Sequence, residues 1–320
     1  MITLEQDSAS IEELLKLNEA VLEPIYPTVA KEKEIEIPKF AFDQGFSVAP
    51  SVKVAKPKVL IPVFPGTNCE YDSARAVMAA GAEPEIVVIR NLTAEDVARS
   101  VETVAKKIAD SQMIFIPGGF SGGDEPDGSA KFITAFFRNA AVKEAVTRLL
   151  DDRDGLMCGI CNGFQALVKL GLVPYGKIID TDENCPTLTF NNISRHQSRI
   201  VHTRIASNKS PWLSLMNVGD IVNVPISHGE GKFLASPELA LELAKNGQVA
   251  TQYVDLNGNA TADIDFNPNG SIFAIEGITS PDGRILGKMG HSERIGNGLY
   301  RNVPGEYDIR MFEAAVKYFK

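Results

Sequence analysis

A chain of 320 residues, 44% apolar and 23% charged, has the length for a large core and the composition of a folded globular protein. Its net charge of −9 comes without any lysine- or arginine-rich block, which argues against the cationic footprint that a nucleic-acid backbone demands. No apolar run approaches the roughly 20 residues of a membrane span, the N-terminus lacks a secretion-signal pattern, and four cysteines fit the reduced thiols of a cytoplasmic protein better than a disulfide framework.

In chain order, residues 1–55 differ from the rest and are expected to form an N-terminal extension or linker with one helix. Ser10 and Glu13 have the spacing of a capping box, and Ile11, Leu14, Leu15, Val21 and Leu22 would share one helical stripe. Pro24, Pro27, Pro38 and Pro50, with the charged run KEKEIEI among them, then interrupt regular structure. Such a segment should pack on a surface or lead to something else. From residue 56 to 320 a single larger domain is expected.

That domain opens with alternating elements. KVLIPVF reads as a strand, EYDSARAVMAAGAE as a helix, EIVVI as a strand, residues 93–110 as a helix started by Thr93, QMIFIPGG as a strand, residues 129–150 as one long helix, and GLMCGI as a strand. Uninterrupted apolar strands between helices imply an α/β fold, a mostly parallel sheet with helices on both faces. Ligands in such sheets bind beyond the carboxyl ends of the strands, where FPGTNC, PGGFSGGD and CNGFQ fall. After residue 180 the pattern gains additional β structure: RIVHTRI, DIVNVPIS, QVATQYV, SIFAIEGI and GRILGKM are candidate strands, and NPNGS at 267–271 marks a turn.

Cys158 and Cys161 form a C-x-x-C pair with three possible meanings. Zinc needs four ligands, and the remaining cysteines stand alone with no His-x₃₋₅-His pair. A redox pair would place both thiols at a helix start, whereas Cys158 lies inside an apolar strand, where cysteine is usually a small hydrophobe. The third meaning fits more features. Gly159-Ile160-Cys161-Asn162-Gly163 follows a strand and precedes a helical pattern, as in a nucleophile elbow with cysteine in the serine position. The helix N-terminus there favours a thiolate. Such a nucleophile needs a proton shuttle. His196 and His202 lie at or in a strand pattern and read as packed or surface residues. His228 and His291 each begin an H-x-E, with Glu230 and Glu293 two residues on, so either glutamate could orient its histidine, and spacing does not choose between them. Oxyanion donors could come from the Asn162 amide and from the glycines after Pro117. PGGFSGGD lacks the ending of a phosphate-binding P-loop.

Taken together, PGTNCEYD, PGGFSGGDEPDG, GICNGFQ, PTLTFNNIS, SHGEGKF, NPNGS and GRILGKMGHSER resemble the class I glutamine amidotransferases, a flavodoxin-like fold. Within them the chain looks specifically like the glutaminase modules of the phosphoribosylformylglycinamidine synthase family. The resemblance implies that Cys161 attacks the side-chain amide of L-glutamine, that His291 shuttles protons and Glu293 orients it, that Gly119 and Asn162 supply oxyanion donors, and that Gln165 holds the substrate. His228 and Glu230 would lie near the site without joining the triad. It also implies that ammonia passes to a synthetase module or subunit that uses ATP and magnesium on formylglycinamide ribonucleotide, and that this chain itself carries no cofactor or metal. Departures are Ser292, where the family usually has proline, Phe164, where cysteine is frequent, and the variable SGGDEPDG loop. A DJ-1/PfpI-type cysteine hydrolase would explain the elbow but not the late H-x-E. A non-catalytic assembly subunit would leave the intact Cys161, His291 and Glu293 without purpose.

Overall fold

The structure, a computed structural model, describes residues 1–4, 7–25, 36–122, 128–296 and 298–320. Part of the KEKEIEI run, Pro27, and the acidic residues Asp124, Glu125 and Asp127 of the glycine-rich loop lie outside the described residues. The elements in order are β1 (Ile2–Leu4), β2 (Asp7–Ala9), α1 (Ile11–Ala20), β3 (Lys58–Val63), α2 (Glu70–Ala79), β4 (Glu83–Val88), α3 (Ala94–Asp110), β5 (Met113–Ile116), α4 (Lys131–Phe137), α5 (Ala140–Asp151), β6 (Leu156–Ile160), α6 (Asn162–Leu170) and α7 (Leu172–Tyr175). They continue with β7 (Thr187–Thr189), β8 (Gln197–Ile205), β9 (Ile221–His228), β10 (Lys232–Leu234), α8 (Pro237–Lys245), β11 (Val249–Tyr253), β12 (Ile275–Thr279), β13 (Ile285–Lys288) and α9 (Met311–Tyr318).

One nine-stranded sheet organises the domain, in the order β4-β3-β5-β6-β13-β12-β11-β8-β9. The first five strands are parallel neighbours, and β12, β11, β8 and β9 extend the sheet by antiparallel pairing. Every residue of β5 and β6 is buried, so both faces of the sheet are covered there, as their uninterrupted apolar sequences require. The β-rich second half is therefore no separate layer. Its last strand, β13, is inserted beside β6 and pairs Lys288 with Ile160 in register. At the outer edge of β9, the Asn223 amide donates to the Glu306 carbonyl at 2.7 Å, which blunts that edge.

One expectation from sequence needs correction. Residues 129–150 form two helices, because Asn139 takes an extended ψ of 135° and its side chain accepts from the Ala141 amide, capping a new helix at Ala140. The capping box at Ser10 and Glu13 is present, but α1 buries none of its residues, so its apolar stripe meets no described part of the body. Residues 36–57, by contrast, are strapped to the domain. Phe40 donates to Gln252 Oε1 at 2.9 Å, Phe42 to the Ala206 carbonyl at 2.9 Å and Val54 to the Phe319 carbonyl at 2.8 Å. No helix among the described residues is long and apolar enough to cross a membrane.

Candidate active site

The elbow forms where β6 turns into α6. Cys161 has φ +54° and ψ −108°, a conformation that costs a non-glycine residue about 1–3 kcal/mol and persists only where neighbours over-determine it. Here they do. A Cβ on Gly159 would sit 2.5 Å from the Gly163 carbonyl oxygen, and one on Gly163 would sit 2.0 Å from that of Ile116. Both positions of the G-x-C-x-G pattern are therefore held to glycine by backbone approach. The Cys161 amide donates to the Lys288 carbonyl at 2.9 Å, and its own carbonyl accepts from Gln165 at 3.0 Å to start α6. Cys158, three residues earlier on the strand, is fully buried, and burial pushes its thiol well above the usual range.

His291 stands on the loop that leaves β13, the strand next to β6. Its amide donates to the Pro225 carbonyl at 2.9 Å, and its Nδ1 lies 2.7 Å from Glu293 Oε1. The Cys161 thiol lies beside the ring, and its Sγ donates to the Ser227 carbonyl at 3.8 Å. Burial alone would depress the histidine, but the Glu293 carboxylate, with the Cys161 and Cys69 thiols, outweighs it and holds the ring charged well above its ordinary pKa. Gly118, at the end of β5, closes the third side. A Cβ there would lie 2.8 Å from His291 Cε1, 3.2 Å from Cys69 Sγ and 3.3 Å from Cys161 Cβ. Gly119 next to it passes close to Gly66 and Thr67, where a Cβ would come within 2.5 Å of the Gly66 oxygen.

The second H-x-E is built differently. Glu230 does not touch His228. Its Oε2 accepts from the Ser129 amide at 3.2 Å, fixing the far end of the glycine-rich loop, and its carbonyl accepts from Gln165 Nε2 at 2.6 Å. His228 is 1% exposed, and neither ring nitrogen has a partner among the described residues. Burial, with the charges of His291 and His196, pushes its pKa down to about 3, so the ring is neutral. Asn191 clamps this turn, donating to the His228 carbonyl at 2.8 Å and accepting from Gly231 at 3.1 Å.

A cavity of about 330 Å³ joins these pieces, lined by Gly119, Cys161, Asn162, Gln165, His228 and Glu230, with Phe120 and Phe190 half-exposed at its mouth. That volume is at the small end for ligand pockets and suits one amino-acid-sized molecule. His196 and His202 stay outside it, bonded to Ser227 Oγ and Asn223 Oδ1 respectively. Cys69, Lys288 and Asn191 were not singled out by sequence reasoning. Each lies in a quoted motif, but only spatial neighbours give it a role. The donor atoms of Cys69, His291 and Glu293 lie within 4.8 Å of one another, a spacing that a metal could use. Arg294 Nη2 already donates to Cys69 Sγ at 2.9 Å, and its positive charge opposes a second cation there.

The profile of the CobB/CobQ-like glutamine amidotransferase domain matches residues 56–319. The chain belongs to this amidotransferase family. Over 261 residues the amidotransferase is 37% identical to the phosphoribosylformylglycinamidine synthase subunit PurQ of Methanococcus maripaludis, covering 79% of this chain and 87% of that one. It is 36% identical over 283 residues to the PurQ subunit of Treponema denticola, covering 82% of this chain and 99% of the relative. In fold, the amidotransferase is similar to the solved structure of PurLQS from Thermotoga maritima, with a TM-score of 0.60 at 24% identity over 83% of this chain and all of the matched chain.

Proposed function

We propose that this chain is the glutaminase of a phosphoribosylformylglycinamidine synthase, hydrolysing L-glutamine to glutamate and ammonia in purine biosynthesis. The observation that carries this reading is Cys161 lining one small cavity with the buried His291–Glu293 pair behind it, in a chain 36–37% identical to relatives of that name. The Cys161 thiolate attacks the side-chain amide carbon of glutamine. The oxyanion forms toward the Asn162 and Gly119 amides at the N-terminus of α6 and the end of β5. His291, charged and oriented by Glu293, gives its proton to the departing ammonia and leaves a γ-glutamyl thioester. Water, deprotonated by the now neutral ring, releases glutamate. Gln165 acts by bracing Glu230 and Asn162 around the substrate, and neutral His228 offers its unpartnered ring to the polar end of glutamine. In this reading residues 56–320 are the glutaminase domain and residues 1–55 an extension toward the synthetase. That partner holds ATP and magnesium and consumes the ammonia with formylglycinamide ribonucleotide, in the cytoplasm.

Two outcomes test the reading. First, the isolated chain should hydrolyse glutamine slowly, and the matching synthetase loaded with its nucleotide substrates should raise glutamate production severalfold. Sites that serve a coupled reaction are commonly completed by the acceptor half. Full activity in isolation, unresponsive to the partner, would show a preassembled site, and no glutamate under either condition would remove the glutaminase reading. Second, Gly118→Ala should lower kcat by on the order of 100-fold, since the added methyl must push His291 or Cys161 off line by about an ångström. Wild-type turnover in that variant would show that the two groups do not act at the spacing described.

A further inference from the structure

Beneath the His291 loop lies a lysine with no place in the chemistry above. Lys288 ends β13 and is 1% exposed. Its Nζ lies 3.2 Å from Oε1 of Glu276, itself 1% exposed on the adjacent strand β12. The same ammonium donates to the Gly290 carbonyl at 3.0 Å and to Ser292 Oγ at 3.1 Å, so its three protons have three acceptors. Glu276 is equally engaged. Its Oε1 accepts from the Gly290 amide at 2.6 Å, its Oε2 accepts from Thr251 Oγ1 at 2.5 Å, and its carbonyl accepts from the Met289 amide at 3.2 Å.

Burying an ion pair this deeply is a poor way to stabilise a fold. The desolvation of two charges offsets most of their attraction, and apolar replacements of similar volume are often neutral or stabilising. What the pair does achieve is geometric. Gly290 is gripped at both its amide and its carbonyl, Ser292 at its hydroxyl, and these two residues flank His291 on either side. The loop contains Gly290 and no proline, so its backbone has little stiffness of its own.

We propose that Lys288, paired with Glu276, is a positioning residue for the glutaminase reaction, holding Met289–Ser292 so that His291 meets Cys161 and Glu293. This rests on the reading of His291 as the proton shuttle. The groups facing the imidazole are Glu293 and Cys161, with Cys69 beside Nδ1 and the neutral His228 across from β9. A loosened loop changes the first two contacts directly.

The test compares Lys288→Met/Glu276→Gln with Ser292→Ala and Ser292→Thr in the full chain, assayed with the synthetase partner. The double variant removes both charges together and should keep or raise the thermal midpoint. Its kcat should fall by up to on the order of 100-fold with KM for glutamine near wild type, as expected for a misplaced catalytic group. The alkaline limb of its pH–rate profile should move to lower pH, because a ring less well held against Glu293 loses its proton sooner. Ser292→Ala should lose kcat severalfold without loss of stability, and Ser292→Thr, which keeps the acceptor, should lose less. A folded double variant with wild-type kcat and pH profile overturns the proposal. Should the double variant fail to fold, a Ser292→Ala enzyme indistinguishable from wild type overturns it instead. If the wild-type chain releases no glutamate, the glutaminase reading itself has failed, a result separate from either of these.

Discussion

Cys161→Ala should abolish glutamate release, while Cys158→Ala should leave most of it. The two thiols are three residues apart in a C-x-x-C pair, yet they occupy opposite chemical environments. Cys161 sits at the strained turn, in the cavity, beside His291 at the head of α6. Cys158 lies wholly inside β6, its thiol pushed up by burial and thus neutral at ordinary pH, where it cannot act as a nucleophile. A glutamine-analogue electrophile should therefore label Cys161 alone, as read by peptide mass spectrometry. Label on Cys158, or an activity that depends on a Cys158–Cys161 disulfide, would end the assignment.

His291→Ala should cost about 10²–10⁴-fold in turnover, the usual loss when a positioned acid–base group is removed. The protein should remain folded, with Cys161 present and countable by thiol titration under denaturing conditions. His228→Ala should instead act mainly on KM for glutamine. Among the described residues His228 has no carboxylate partner, and burial keeps it neutral, so it is built to offer hydrogen bonds and not to carry a proton through the reaction. The reverse pattern, an inactive His228→Ala and a near-normal His291→Ala, would exchange the two roles.

These assignments show where sequence reasoning reached and where it stopped. The elbow was legible because its requirements are local: glycine at 159 and 163, a strand before and a helix after. The capping boundaries at Ser10 and Thr93 were legible for the same reason. The choice between two H-x-E pairs was not. Both look alike along the chain, and the difference arises from what Glu230 meets, the Ser129 amide roughly a hundred residues away. The break at Asn139 was missed because an apolar helical period continues across it, while the asparagine cap is a local choice of ψ. The stripe on α1 left its partner open, since periodicity shows that a helix has an apolar side but not whether anything covers it. Lys288 was passed over inside an apolar strand. A buried lysine is visible only when its acceptors are, and those come from Glu276, Gly290 and Ser292 together.

The insertion of β13 next to β6 also sets a timetable for the protein's birth. Cys161 leaves the ribosome some 130 residues before His291, and the strand that must lie beside β6 begins only at Ile285. Until then the growing chain has the edge of β6 open to solvent and to neighbours, and Cys161 lacks the histidine proposed as its shuttle. In the proposed reaction Cys161 would thus gain His291 as its partner only when the sheet is zipped shut at its centre. A chain stalled or clipped before residue 285 would therefore be both silent toward glutamine and prone to stick to its own kind.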